Sequence, residues 1–214
     1  QHAGTGLGEP AAAAKQRLSQ INQQLAGLYT RFSQNVLAEE DQQMLLLADE
    51  AELAGLPESA RAAAPAAAES RGHKCEWAVL NTRSSVQPFL AFSSRRDLRE
   101  KVWRTFVNRG DNGGEKDNNT TIAEILALRA ARSQLLGYPT HAHWRLENTM
   151  AKTPERAMEL MEAVWPPAVA RVREEVADMQ AIADAEGAGF TIEPWDYRYY
   201  AERVRKAKFD LDQD

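Results

Sequence analysis

Residues 190–212 read FTIEPWDYRYYAERVRKAKFDLD. Pro194 presets φ for a first helical turn, where its missing N–H costs nothing. Asp196 puts a negative charge at the start of that helix, and Arg203, Arg205, Lys206 and Lys208 gather near its end. Both placements suit the helix macrodipole, which explains the basic run without a phosphate or acidic-peptide ligand. Trp195, Tyr197, Tyr199 and Tyr200 fall within six residues, and Tyr199 and Arg203 share a face at i,i+4. The pattern predicts a partly buried amphipathic helix whose phenols need partners. Core or interdomain packing explains its aromatics better than a cofactor box does. It carries no chemistry by itself.

Helical periodicity extends outward from this stretch. Leu18, Ile21, Leu25, Leu28, Phe32 and Val36 recur in steps of three and four, predicting a long helix over 11–40. Met44–Leu47 reads as a short strand, and Leu56-Pro57-Glu58-Ser59 opens a short helix. The alanine-rich 60–72, with Pro65 inside it, reads as an interrupted helix or a loose connection. At 76–92, polar Asn81–Ser85 separates two aromatic and β-branched runs, which predicts a β-hairpin with Pro88 on an edge strand.

Ser94 with Asp97, and Thr121 with Glu124, resemble capping boxes for two further helices. Their inner stripes are Leu98, Val102 and Phe106, then Ile122, Ile125, Leu128 and Leu135. Residues 109–119 (RGDNGGEKDNN) form a surface loop. Gly137 and Pro139 end the second helix, and a short helix follows over 140–148. Thr153-Pro154-Glu155 starts a long helix that Pro166-Pro167 should kink or break, and Gly187 and Gly189 close it. Met158, Met161, Trp165, Val172, Val176, Met179 and Ala183 mark its inner stripe. The fold class is mostly α: many helices with one small hairpin, in sub-regions 11–72, 76–92 and 94–212.

The 214 residues carry 43% apolar and 27% charged side chains and a net charge of −5. That composition is ordinary for a globular protein and gives no reason to expect nucleic acid or an anionic membrane as partner. No apolar run approaches the ~20 residues that span a bilayer. A single cysteine, Cys75, rules out an internal disulfide framework and fits a reducing, cytoplasmic compartment; a periplasmic one stays open.

The residue types that carry chemistry do not converge in this sequence. His141 and His143 are spaced i,i+2, which on a helix points them ~200° apart, and no H-E-x-x-H places two imidazoles on one face. His2 and His73 sit in loops without partners. Cys75 beside Lys74 lacks a His–acid pair at recognisable spacing, and Glu39-Glu40 and Glu174-Glu175 read as solvated helix faces. Asn118–Thr121 matches a glycosylation triplet that helix capping explains equally well. Catalytic and metal-ligating residues are therefore expected to be absent from this stretch.

Several strings nevertheless resemble one family. Glu193-Pro194-Trp195-Asp196, Tyr200-Ala201-Glu202 and Lys208–Asp212 resemble a passage of the thimet-oligopeptidase-like zinc metallopeptidases, with the bacterial peptidyl-dipeptidase (Dcp) branch the nearest. Met150–Glu155, Gln134–Tyr138, Arg99-Glu100-Lys101 and Ile21-Asn22 match in the same order, so the likeness runs from Ala3 to Asp212. It implies a largely helical enzyme split by a deep channel. Zinc would be held there by two His and a Glu, and a second Glu would activate water. Such an enzyme would release C-terminal dipeptides from short or unfolded peptides. In the family this passage lies upstream of the zinc motif, so the chain is expected to be an internal piece, inactive alone and binding no zinc. It would serve as channel wall and scaffold. Asn81, Thr82, Arg83 and Pro88 of the expected hairpin would form a channel lip able to take an extended peptide by β-addition. Apolar surface left uncovered in the piece would favour self-association. The alternative is a stand-alone helical interaction module without enzymatic activity.

Overall fold

The computed structural model describes residues 9–74 and 76–209, Glu9 and Pro10 by backbone alone. His2, Cys75 and the last residues of the 208–212 string lie outside the described residues. The chain divides into two compact units, Gln1–Val36 with Gly113–Pro166, and Leu37–Asn112 with Pro167–Asp214. The architecture is mostly α, with one two-stranded antiparallel sheet.

In the first unit, α1 (Glu9–Gln42) packs through Ile21, Leu25 and Leu28 against Ile125, Leu128 and Ala131 of α5 (Asn119–Leu135). Polar contacts fix the register. Arg31 Nε donates to Thr121 Oγ1 at 3.0 Å, Asn35 donates to Asn118 Oδ1 at 3.0 Å, and Asn118 donates to the Phe32 carbonyl at 3.1 Å. The expected Thr121–Glu124 capping box is therefore replaced. The helix starts three residues earlier, Thr121 and Glu124 both face Arg31, and the Asn118 side chain caps nothing. Gly137, at φ +81°, lets Tyr138 N donate to the Ser133 carbonyl at 2.9 Å and closes α5 as expected. The short α6 (His141–Leu146) is capped by Thr140, and Thr153 caps α7 (Pro154–Ala185) through Arg156 N.

The second unit holds the sheet and corrects the hairpin. Strand β1 (Met44–Leu47) pairs antiparallel with β2 (Trp77–Leu80), Met44 opposite Leu80 and Leu47 opposite Trp77. Between them lie a 3-10 turn at Glu50–Leu53 and α2 (Glu58–Glu69). The expected second strand is helix α3 (Arg83–Phe92). Its buried residues, Val86, Phe89 and Leu90, fall at i, i+3 and i+4, a helical spacing hidden among β-prone residues. Ser85 Oγ accepts from Leu80 N at 3.0 Å, so the serines fold the chain into a helix instead of a hairpin turn. Pro88 lies inside α3 and Pro65 inside a continuous α2; neither breaks its helix.

Helix α4 (Arg96–Val107) buries Leu98 and Val102 against Leu47, Leu53, Val79 and Phe89. Its expected capping box is absent, because Asp97 pairs with Arg95 and Ser94 Oγ donates to the Ala54 carbonyl. Glu39, expected on a solvated face, is buried and accepts from Gly110 N and Asn112 Nδ2, while Glu40 pairs with Arg109. These contacts anchor the 109–112 end of the polar loop. The expected break at Pro166-Pro167 does not occur: two lost N–H donors are tolerated within a 32-residue helix. Met179 and Ala183 of α7 bury against Tyr200 of α8 (Tyr197–Phe209), as the stripe predicts. No described helix is long and apolar enough to cross a membrane.

Candidate functional site

The focus of the second unit is Asp196, with none of its surface exposed. Arg99 Nη2 donates to Asp196 Oδ1 at 2.8 Å and Arg96 Nη2 to Oδ2 at 2.9 Å, while Glu193 N donates to Oδ2 at 3.2 Å. Arg99, 1% exposed, also donates to the carbonyls of Ser93 and Trp195. Its guanidinium lies 4.1 Å over the Tyr199 ring, and that of Arg96 lies 4.0 Å over Phe190. Trp195 meets Trp103 edge-on at 5.8 Å. The acid read from sequence as a helix-dipole partner is in practice one end of a buried charge network pinning the start of α8 to α4. A single sequence could not disclose its partners, which lie about a hundred residues upstream; the only trace is the Arg95-Arg96-x-x-Arg99 run.

The second unit also carries clefts, the first of which borders this network at Trp103 and Glu193. That one, of about 720 Å³, is lined by Leu90, Trp103, Ile192, Pro194, Tyr197 and Arg205 among others. Tyr197 donates its hydroxyl to Glu175 at 3.2 Å; burial first, then that carboxylate, raises the phenol above its ordinary range. A second cleft, of about 410 Å³, is lined by the alanine face of α2, by β2 and by Thr82, Ser84, Ser85, Pro88 and Phe89.

The four sequence-predicted lip residues therefore separate. Thr82 and Pro88 line the second cleft. Arg83 is exposed in the first turn of α3. Asn81 is buried, with Nδ2 3.4 Å from the Thr105 carbonyl. The backbone from Arg83 to Phe92 is helical, so this segment offers no strand edge for β-addition.

The described histidines meet local partners. His143 Nδ1 contacts Thr140 Oγ1 at 2.8 Å and its Nε2 lies 3.6 Å from Glu155; His73 contacts Glu76 at 2.9 Å. Among the described residues, no three His, Cys, Asp or Glu side chains are grouped so as to hold a metal ion. Among the described residues the donor set does not supply the three protein ligands and open position that a catalytic zinc needs. What these residues provide is rigid helical packing and two clefts.

Comparison with known proteins then identifies the framework. The model of peptidase family M3 matches residues 89–214. The chain belongs to peptidase family M3. It is 36% identical to the dipeptidyl carboxypeptidase of Escherichia coli K12 over 203 residues, 95% of this chain and 30% of that protein. It is 34% identical to oligopeptidase A of Salmonella typhimurium LT2, over 98% of this chain and 31% of the relative. A probable cytosolic oligopeptidase A of Arabidopsis thaliana is 32% identical over 94% of the chain. The chain thus spans about a third of the length of the curated relatives it matches. The buried Asp196 network lies inside the matched residues, whereas the second cleft lies almost wholly before them.

Proposed function

We propose that this M3 region is the non-catalytic wall and scaffold of a zinc metallopeptidase that releases C-terminal dipeptides from short or unfolded peptides in the cytoplasm. The reading rests on one observation above others: the chain matches a dipeptidyl carboxypeptidase along 95% of its own length but only 30% of the relative's. Zinc, where such an enzyme binds it, supplies a Lewis acid and an activated water; its ligands lie among residues other than those described here. The work of this chain is positional. The Asp196–Arg96–Arg99 network holds α8 against α4, which keeps the walls of the 720 Å³ cleft in register. Thr82 and Pro88, on the 410 Å³ cleft, take the place of the expected β-addition lip, with Arg83 at the start of the same helix.

The test is to express the protein from its full reading frame beside the 214-residue chain. Dipeptide release from a short peptide is followed with and without chelator. Activity that the chelator abolishes in the long form, and none in the short one, is the expected result. A long form that is inactive with zinc supplied would refute the peptidase reading and leave a helical interaction module. In an active long form, Arg83→Ala and Pro88→Ala should raise KM with little change in kcat, and an unchanged KM would remove the lip.

A further inference from the structure

A different place in the chain, in the first unit, collects positive charge that pairs with no carboxylate among the described residues. Arg129 and Arg132 stand at i,i+3 on α5, and His141, Trp144 and Arg145 at i,i+3,i+4 on α6. The Arg132 guanidinium lies 4.6 Å and that of Arg145 5.6 Å from the Trp144 ring centroid, while the His141 ring tilts onto the same indole at 5.6 Å. Helix α1 contributes only neutral partners: Tyr29 OH accepts from Arg129 Nε at 2.9 Å, and Asn22 Oδ1 accepts from Arg132 Nη1 at 3.1 Å.

None of the three guanidiniums is ion-paired with a described carboxylate. The nearby acids are engaged elsewhere, Glu147 with Tyr138 and Glu155 beside His143. This contrasts with Arg31, Arg109 and Arg203, each of which holds a carboxylate, in a chain whose net charge is −5. Arg132 Nε and His141 Nδ1 are moreover sealed from solvent without a hydrogen-bond partner, a costly state for polar groups. Burial first, then Arg129, Arg132 and Arg145, holds the His141 imidazole below its ordinary range.

Stacking on an aromatic face fixes a guanidinium plane yet leaves its N–H fork available, which suits bidentate capture of an oxyanion. We propose that Arg132, Arg145 and His141, gathered on Trp144, form together with Arg129 beside His141 a binding site for a carboxylate or phosphate-type oxyanion. The site is separate from the peptidase reading and does not depend on it. The intact chain is titrated at constant ionic strength with sodium sulfate, standing in for phosphate, and with sodium acetate, each against chloride. The His141 imidazole and Trp144 indole resonances are followed by NMR. A saturable shift of both rings with sulfate or acetate is expected, and the stronger titrant identifies the ligand class. Arg145→Gln, on an exposed side chain that the fold does not need, should weaken binding about tenfold, as loss of one charge-assisted contact does. Shifts no larger than those with chloride, or equal affinity in Arg145→Gln and in a distant Arg171→Gln control, would overturn the site.

Discussion

At the scale of single residues, Asp196 is the charged group that ties α8 to α4. It is fully buried, and the guanidinium facing it, that of Arg99, is nearly so. Asp196→Asn keeps the shape but strands a buried cation, a change that costs about 3–5 kcal/mol. Urea unfolding should show that loss for Asp196→Asn, whereas Asp97→Asn, on an exposed pair with Arg95, should stay within about 0.5 kcal/mol. Equal stability of the two variants would mean that the network orients α8 without stabilising it. His141 gives the pH dependence. Its folded-state pKa lies below the ordinary 6.5 because burial and then Arg129, Arg132 and Arg145 disfavour the imidazolium. The unfolded chain therefore binds the proton more readily, so stability falls as pH drops from about 6.5 until the folded-state value is passed. His141→Gln should flatten that segment of a plot of unfolding midpoint against pH. A profile unchanged by the substitution would show that other groups set the slope.

Among the elements, the connection from the 3-10 turn to α2 turns on Gly55. At φ +85°, a Cβ there would come within 2.4 Å of the Phe92 carbonyl oxygen and 2.9 Å of Ser94 N. Backbone cannot yield as a side chain does, so Gly55→Ala should cost at least about 2 kcal/mol, combining left-handed strain with the clash. Pro65 is the opposite case: exposed and inside α2, it deprives the helix of one hydrogen bond. Pro65→Ala should raise stability by about 1–2 kcal/mol in the same unfolding assay, the restored bond outweighing the freer unfolded chain. These elements also show where the sequence is legible. The long periodic helices, the Gly137 and Thr153 signals and the strand at Met44–Leu47 can all be read locally, because dihedral preference and period act within one element. The partner of that strand cannot: Trp77–Leu80 pairs across about thirty residues, and Val86–Phe92 is β-prone in composition but helical in spacing. The capping boxes misled for a related reason. Ser94, Thr121 and Glu124 have side chains claimed by tertiary partners that no local window contains. At the site, the absence of H-E-x-x-H was readable, whereas the Asp196 network and the arginines around Trp144 required coordinates.

For the molecule as a whole, the decisive feature is how much apolar surface the first unit leaves uncovered. Along α7, Met158, Met161 and Trp165 are 47%, 53% and 70% exposed, with Leu160 and Val164 beside them at 68% and 55%. In the sequence Met158, Met161 and Trp165 belong to the inner stripe of a helix, and the stripe does become core further along, at Met179 and Ala183. A contiguous apolar face of this kind is unfavourable in water and marks a surface suited to burial against another protein surface. In a chain spanning about a third of its relatives' length, a second copy is the partner present in a purified sample. The 214-residue chain should therefore show concentration-dependent association in sedimentation velocity and bind an apolar dye. Met161→Glu with Trp165→Glu, both on exposed positions, should shift the distribution towards monomer and reduce dye binding without lowering the unfolding midpoint. A monomer at every concentration, with no dye bound, would show that water tolerates this face. The exposed stripe would then give no support to a buried role for α7 in a longer protein.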